Sequence, residues 1–234
     1  KVGGGSKPVQ YTGTSFDWTR RPASEAGTVF GTQVASGAMQ YKLNSAIAAL
    51  VAAIDAADVT YDGTAGVASL ASLNAGAAKM GDRQSSIAAW IMHSKSMNDI
   101  YAGSLANSNR LFSFENIQVM DDGFGRPLIM TDAPSLFFDN AGTDNYIQLG
   151  LTSGAVIVED NNDLRMYTET QVELENAKEI MKSEFSFNLG IKGYAWDKTA
   201  GGSSPNDAAI GTGTNWDRTA TSKKDTAGVK VTTL

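Results

Sequence analysis

His93 is the only imidazole in the chain, and it stands beside Ser94 and close to Ser96. Those residue types suggest acyl transfer, which needs an imidazole base, a hydroxyl nucleophile and a carboxylate to orient the ring. The spacing argues against it. The local pattern reads as helix, and adjacent helical residues point to different faces. His93 is therefore expected to make a structural hydrogen bond. Asp121-Asp122 with Asp132 offers oxygen ligands for a divalent cation, but Asp-Asp-Gly between apolar runs is first of all a turn. Asp160-Asn161-Asn162-Asp163 resembles an acidic calcium loop, yet it lacks the glycine and distal glutamate of an EF-hand. Gly3-Gly4-Gly5 and Gly123-x-Gly125 lack the Gly-Lys-Ser/Thr and the strand–glycine–helix setting of a phosphate loop. No catalytic residue, cofactor site or metal site is expected.

Composition narrows the field further. The chain has no cysteine, so disulfides, thiolate metal sites and cysteine nucleophiles are excluded. A single histidine excludes a multi-histidine metal site. Net charge is −6, and no basic run exceeds Lys223-Lys224 or Arg20-Arg21, so there is no sequence signature of a dedicated nucleic-acid binder. Only 19% of residues are charged against 42% hydrophobic, which suits a protein that hides much of its surface against copies of itself. Trp18, Arg20, Arg21, Trp216 and Arg218 are the candidate intersubunit contacts, because tryptophan and arginine combine large buried area with a polar handle. Ordinary core packing is the equal alternative for them and for Trp196. No apolar run is long enough to span a bilayer. Ala46–Ile54 is apolar but short, and Asp55 and Asp58 close it. The chain starts at Lys1, which is read as a processed product or a fragment.

These residues must be positioned by elements whose outlines are visible. Residues 1–31 read as a glycine-rich, aromatic arm with one or two short strands. Val34, Ala38, Tyr41, and Leu43, Ile47, Leu50, Ile54 recur at helical spacing and predict a long helix over 32–57, with Ser24, Glu25 or Thr32 as possible starts. A shorter helix is predicted over 67–80 and a third over about 83–102, with Ile87, Trp90, Ile91 and Ser94 on one face. Strands are predicted at Phe114–Met120, Pro127–Thr131, Tyr146–Gly150, Ala155–Asp160 and Phe185–Trp196, where Phe185, Phe187, Leu189 and Ile191 share a face. Residues 163–184 read as charged and mixed. A short helix at Asp207–Ile210 and a last strand at Val229–Thr233 complete an α+β chain.

The order of these pieces resembles the tailed-bacteriophage major capsid proteins of the HK97-like fold family. Phe16-Asp17-Trp18, Gly31-Thr32-Gln33 and Leu43-Asn44-x-Ala46-Ile47 resemble the approach to that family's spine helix. Ile91-Met-His-Ser94 and Pro127-Leu-Ile-Met-Thr-Asp132 resemble the core of its axial domain. Gly190-Ile-Lys-Gly-Tyr-Ala-Trp196, Ser204-Pro-Asn206 and Asn215-Trp216 resemble its C-terminal return. The chain departs from the family at the front, where little before Thr32 matches the N-terminal arm and the extended E-loop hairpin. No residues match the Lys–Asn crosslink that some members form.

The resemblance implies an HK97-like fold with a long spine helix packed on a sheet. Residues 1–65 would hold the end of the N-terminal and E-loop region with the spine helix, as a peripheral domain. Residues 66–160 would form the axial domain, and 161–234 the strands returning to the peripheral domain with the C-terminal segment. The implied function is a major capsid protein that self-assembles through heterologous contacts into the icosahedral head of a tailed bacteriophage and encloses its DNA. Its partners would be copies of itself as pentamers and hexamers, decoration or scaffolding proteins, and packaged DNA without sequence specificity, with no membrane. It would reside in the virion after assembly in the host bacterial cytoplasm. The alternatives are an encapsulin-like nanocompartment shell and, from a different class, a monomeric acidic enzyme or adhesin domain.

Overall fold

The computed structural model describes residues 1–12, 23–106, 120–121, 125–172 and 177–234. Two short strands, β1 (Val2–Gly5) and β2 (Val9–Thr12), precede the long helix α1 (Ala23–Ala53). Next come β3 (Thr60–Gly63), α2 (Leu70–Ala78), a 3-10 segment (Gly81–Ser86), β4 (Ile87–Met92) and α3 (Ser94–Ala106). A run of strands follows: β5 (Met120–Asp121), β6 (Pro127–Met130), β7 (Phe137–Asn140), β8 (Thr143–Thr152), β9 (Val156–Asp160), β10 (Arg165–Val172) and β11 (Ala177–Ile191). The remaining elements are β12 (Tyr194–Trp196), the single turns α4 (Lys198–Gly201) and α5 (Asp207–Ile210), β13 (Trp216–Arg218) and β14 (Gly228–Thr233).

The chain divides into two compact units, one of residues 1–43, 158–189 and 203–206 and one of residues 44–157, 190–202 and 207–234. The first is built on β11, whose Lys178–Met181 pair with β2 along one edge while Ala177–Glu184 pair with β10 along the other. β1 extends the β2 edge by pairing with Glu184–Phe187. The core of this unit is aromatic. Tyr41 of α1 meets Phe185 and Phe187 edge-on, with centroids 5.8 and 6.1 Å away. A Cβ on Gly4 would lie 2.7 Å from Phe185 Cζ, so the absence of a side chain at Gly4 lets β1 pack closely against this cluster.

The second unit holds a seven-stranded sheet in the order β3-β14-β8-β4-β6-β5, with β7 added against β8. β14 runs parallel to β3 and antiparallel to β8, and β4 runs antiparallel to β8 and parallel to β6. Leu73 and Ala77 of α2 and Met97 and Ile100 of α3 join Trp90, Met92, Leu128, Val229 and Val231 in one buried cluster. Ser69 starts α2 with a reciprocal capping box to Ser72. The fold class is α+β, as expected.

Several readings differ from the structure, among them the predicted strand Phe185–Trp196, which is divided by a turn at Lys192-Gly193, with Gly193 at φ 82, into the end of β11 and β12. The long helix starts at Ala23 and ends at Ala53, so its 31 residues extend the rod to about 46 Å. It begins earlier because Ala23, Ser24, Glu25 and Ala26 continue a helix-compatible run. It ends earlier because Asp55 and Asp58 put negative charge at the negative end of the helix dipole. The helix predicted over 83–102 is split. Ile87–Met92 is a central strand and α3 starts only at Ser94, because a short, wholly apolar run shows no period that separates strand from helix. Residues 163–184 carry two strands rather than an irregular segment, because β10 is exposed on both faces and has no hydrophobic alternation to display. Of the expected strand Phe114–Met120, all but Met120 lies outside the described residues.

α2 packs so closely on the sheet that a Cβ on Gly76 would fall 2.2 Å from Val231 Cγ2. Gly76→Ala is therefore expected to lower the unfolding free energy by about 1–3 kcal/mol through overpacking, despite alanine's better helix propensity. Urea unfolding reads the change, and a stabilised variant would contradict the packing.

Candidate functional site

His93 falls between β4 and α3, where it serves the helix start. Its Nδ1 accepts the Lys95 N–H at 3.1 Å, while its carbonyl accepts the first intrahelical bond from Met97. Asp132, just after β6, accepts the Ser94 N–H at 3.1 Å. Hydrogen bonding from Ser94 holds the Asp132 carboxyl below its ordinary pKa, with the nearby His93 adding to the effect. Ser94 Oγ lies 3.5 Å from an Nδ1 already engaged by backbone, and His93 Nε2 lies 3.6 Å from Asp132. A general base needs about 2.6–3.2 Å to the proton it takes. The three residues therefore make a capped strand-to-helix junction, with the His93 ring lying 5.2 Å from Tyr146. That is the structural hydrogen-bonding role the sequence suggested.

The acidic loop before β10 is likewise engaged from within the chain. Asp160 pairs with Lys42 and accepts the Asn162 N–H, with Asn162 at φ 53. Asp163 accepts the Ser186 N–H at 2.7 Å and lies 3.3 Å from the Lys1 ammonium. Asn161 and Asn188 join the same ladder through a 3.0 Å amide bond. These contacts tie a tight loop to β11. Asp122, the other half of the Asp-Asp pair, lies outside the described residues, and only the backbone of Asp121 is described.

Of the candidate intersubunit contacts, Trp18, Arg20 and Arg21 lie outside the described residues. Trp216 and Arg218 belong to the small β12–β13 ladder. Trp216 faces Trp196 across it, rings 4.9 Å apart and near perpendicular. Its indole N–H donates to the Ile210 carbonyl at 2.9 Å, and the residue is only 9% exposed. The Trp196 N–H donates to the Gly202 carbonyl at 2.8 Å. Arg218 Nη1 donates to both carboxylate oxygens of Asp58, at 2.9 and 2.8 Å. That hydrogen bond is the main reason the Asp58 carboxyl lies below its usual pKa.

Sequence reading missed a buried polar cluster and a surface. Gln148 of β8 is fully buried and donates to Ser96 at 2.8 Å and to Thr233 at 2.9 Å, which joins three elements. No local signal marks it, since its partners are 52 and 85 residues away. The surface is β10, all eight of whose residues are exposed, with Met166, Tyr167 and Val172 among them. Among the described residues, no three histidine or carboxylate side chains are placed to hold a metal ion. No described helix is long and apolar enough to cross a membrane.

The fold is similar to the capsid of Helicobacter pylori bacteriophage KHP30, with TM-score 0.53 and 11% identity over 99% of this chain and 74% of that one. It is similar to the capsid of cyanophage Pam1, with TM-score 0.56 and 10% identity over 81% and 70%. It is also similar to a Synechococcus elongatus encapsulin, with TM-score 0.54 and 11% identity over 81% and 69%. The fold is the HK97-like capsid fold, and the family model along the chain makes it a phage coat protein. The chain belongs to the Gp13-like family, described as major capsid protein 13-like, whose family model matches residues 1–230. Proteins of this kind form the virion shell. No curated protein sequence matches the chain.

Two outcomes test the β12–β13 corner. Trp216→Ala is expected to cost about 3–5 kcal/mol in urea unfolding, as for a large buried aromatic, with assembly falling only in proportion. An assembly loss well beyond the stability loss would place Trp216 at an interface instead. For Asp58, a folded-state pKa below the unfolded one gives a contribution that is complete above about pH 4 and lost as pH falls through the lower folded value. Asp58→Asn should therefore flatten the acid limb of a thermal-stability profile below that pH, and an unchanged limb would contradict the pairing.

Proposed function

We propose that this coat protein builds an icosahedral phage head by self-assembly, with each subunit offering different surfaces to different neighbours so that contacts close into pentamers and hexamers. The observation that carries this reading is the capsid family match along residues 1–230. The unit built on the five-stranded sheet and the first part of α1 serves as the peripheral lobe of the wall. The unit built on the seven-stranded sheet serves as the axial lobe, directed to the capsomer centre. Many modest interfaces acting together make the shell persist. The packaged DNA is held without sequence reading, in keeping with a net charge of −6. The protein performs no catalysis, and assembly takes place in the host cytoplasm.

Trp18, Arg20 and Arg21 are the contact residues proposed to meet siblings. Trp216 and Arg218 would meet them only through the outer side of the β12–β13 ladder, since their polar groups bond within the chain. Decoration or scaffolding proteins are further proposed partners. A second reading, a nanocompartment shell loaded with protein, is favoured by the likeness to the encapsulin.

Electron microscopy of the expressed chain tests the shell reading. Closed particles of uniform diameter are the expected result, and a monodisperse monomer at high concentration would overturn it. Nucleic acid within native particles supports the phage head, whereas protein cargo without nucleic acid supports the nanocompartment.

A further inference from the structure

β10 is an edge strand with few of the usual defences of one, its two charges Arg165 and Glu169 being of opposite sign. Open edges are normally blunted by proline, charged side chains (lysine above all), a bulge or a very short strand. Arg165-Met-Tyr-Thr-Glu-Thr-Gln-Val172 contains no proline, lysine or glycine. It pairs with β11 in unbroken register over all eight residues, and among the described residues it pairs with nothing else. Neither of its faces is covered: Met166 is 52% exposed, Tyr167 47% and Val172 84%. A ribbon so little buried gains little from its own packing, since stable sheets need a covered face or further strands.

We infer that the free edge of β10 takes the β10 of a second copy of this chain, antiparallel, about a local twofold axis through Tyr167. The inference rests on the shell reading, and the charge pattern of the strand selects the partner. Arg165, Tyr167 and Glu169 alternate onto one face. Antiparallel self-pairing centred on Tyr167 sets Arg165 opposite Glu169 of the second copy, and Glu169 opposite its Arg165. Within the chain, Arg165 is already opposite Glu184 across β11. The resulting four-stranded face carries a row in which Glu184, Arg165 and the second copy's Glu169 alternate in sign. The central row sets Tyr167 against Tyr167, each flanked by the Lys182 of its own β11. Opposite charges and aromatic pairs directly across strands are the favourable combinations, and like charges directly across are unfavourable. The interface is isologous, so each defect is felt twice.

The absence of cysteine gives a clean test in the full chain. Tyr167→Cys places two thiols directly opposite across the axis, with Cβ atoms about 4.5–5.5 Å apart, close enough to bridge on mild oxidation. Val172→Cys has no directly opposed strand residue in this register. Oxidised particles of the first variant should run as covalent dimers, and those of the second as monomers. Equal crosslinking of both, or of neither, overturns the inference. If no particles form, the shell reading fails and the same crosslink is read on the soluble chain, where its presence supports the pairing and its absence overturns it. Charge exchange is the second arm. Arg165→Glu alone and Glu169→Arg alone should each lower the assembled fraction about tenfold by opposing like charges. The double variant restores opposite charges across the axis and should recover assembly, and a Glu184→Gln background removes the like-charge pair that Arg165→Glu makes across β11. Circular dichroism of each variant confirms that the subunit is folded. Singles that assemble normally, or a double variant no better than the singles, would refute the pairing while leaving the shell reading intact.

Discussion

The seven-stranded sheet depends on one insertion. β14, formed by residues 228–233, lies between β3 and β8, pairing parallel with one and antiparallel with the other. Without it β3 has no partner strand among the described residues, and β8 loses one of its edges. The insertion also completes α1. That helix has no basic residue in its last turn, and Lys230 of β14 supplies the missing cation, donating to the Val51 carbonyl at 3.2 Å and pairing with Asp55. Gly228 allows the strand to enter, since its φ of 153 and its closeness to the Gly150 carbonyl leave no room for a side chain. A strand at the far end of the sequence thus locks both the sheet and the helix that begin the unit, which is a contact pattern of high sequence separation.

The two units treat apolar surface differently. In the larger unit Trp90, Leu149, Val229 and Val231 are fully buried, and Gln148 has its amide donors satisfied by Ser96 and Thr233. In the smaller unit the Tyr41, Phe185 and Phe187 cluster closes one part of the sheet, but β10 lies open on both faces. A coat subunit needs both kinds of surface. One part must hold its shape before neighbours arrive, and another must be worth more when covered than when wet.

Much of this was legible in the residues, for identifiable reasons. The spine helix, α2 and the alternation of Phe185, Phe187 and Ile191 each bury one apolar face, so their periods survive in the sequence, whereas the last strand, buried on both faces, is legible as a short β-branched-rich run. Ile87–Met92 was misread because all six of its residues are apolar, so it shows no period. β10 was missed because a strand exposed on both faces has no hydrophobic alternation. The sequence reading gives His93 a structural role on the premise that it lies inside a helix; it lies instead at the helix start, with Ser94 Oγ 3.5 Å and Asp132 3.6 Å from its ring nitrogens. The helix capping that it performs, through Nδ1, was not legible because Ile87–Met92 was read as helix, which put His93 in a helix interior.

The central claim is that this chain is a wall subunit whose open strands are covered by siblings. Hydrogen exchange, followed by peptide in the free subunit and in the assembled particle, tests it most directly. The account predicts that residues 165–172 gain strong protection on assembly while residues 228–233, already inside the sheet, change little. Equal exchange of residues 165–172 in the two states would contradict it.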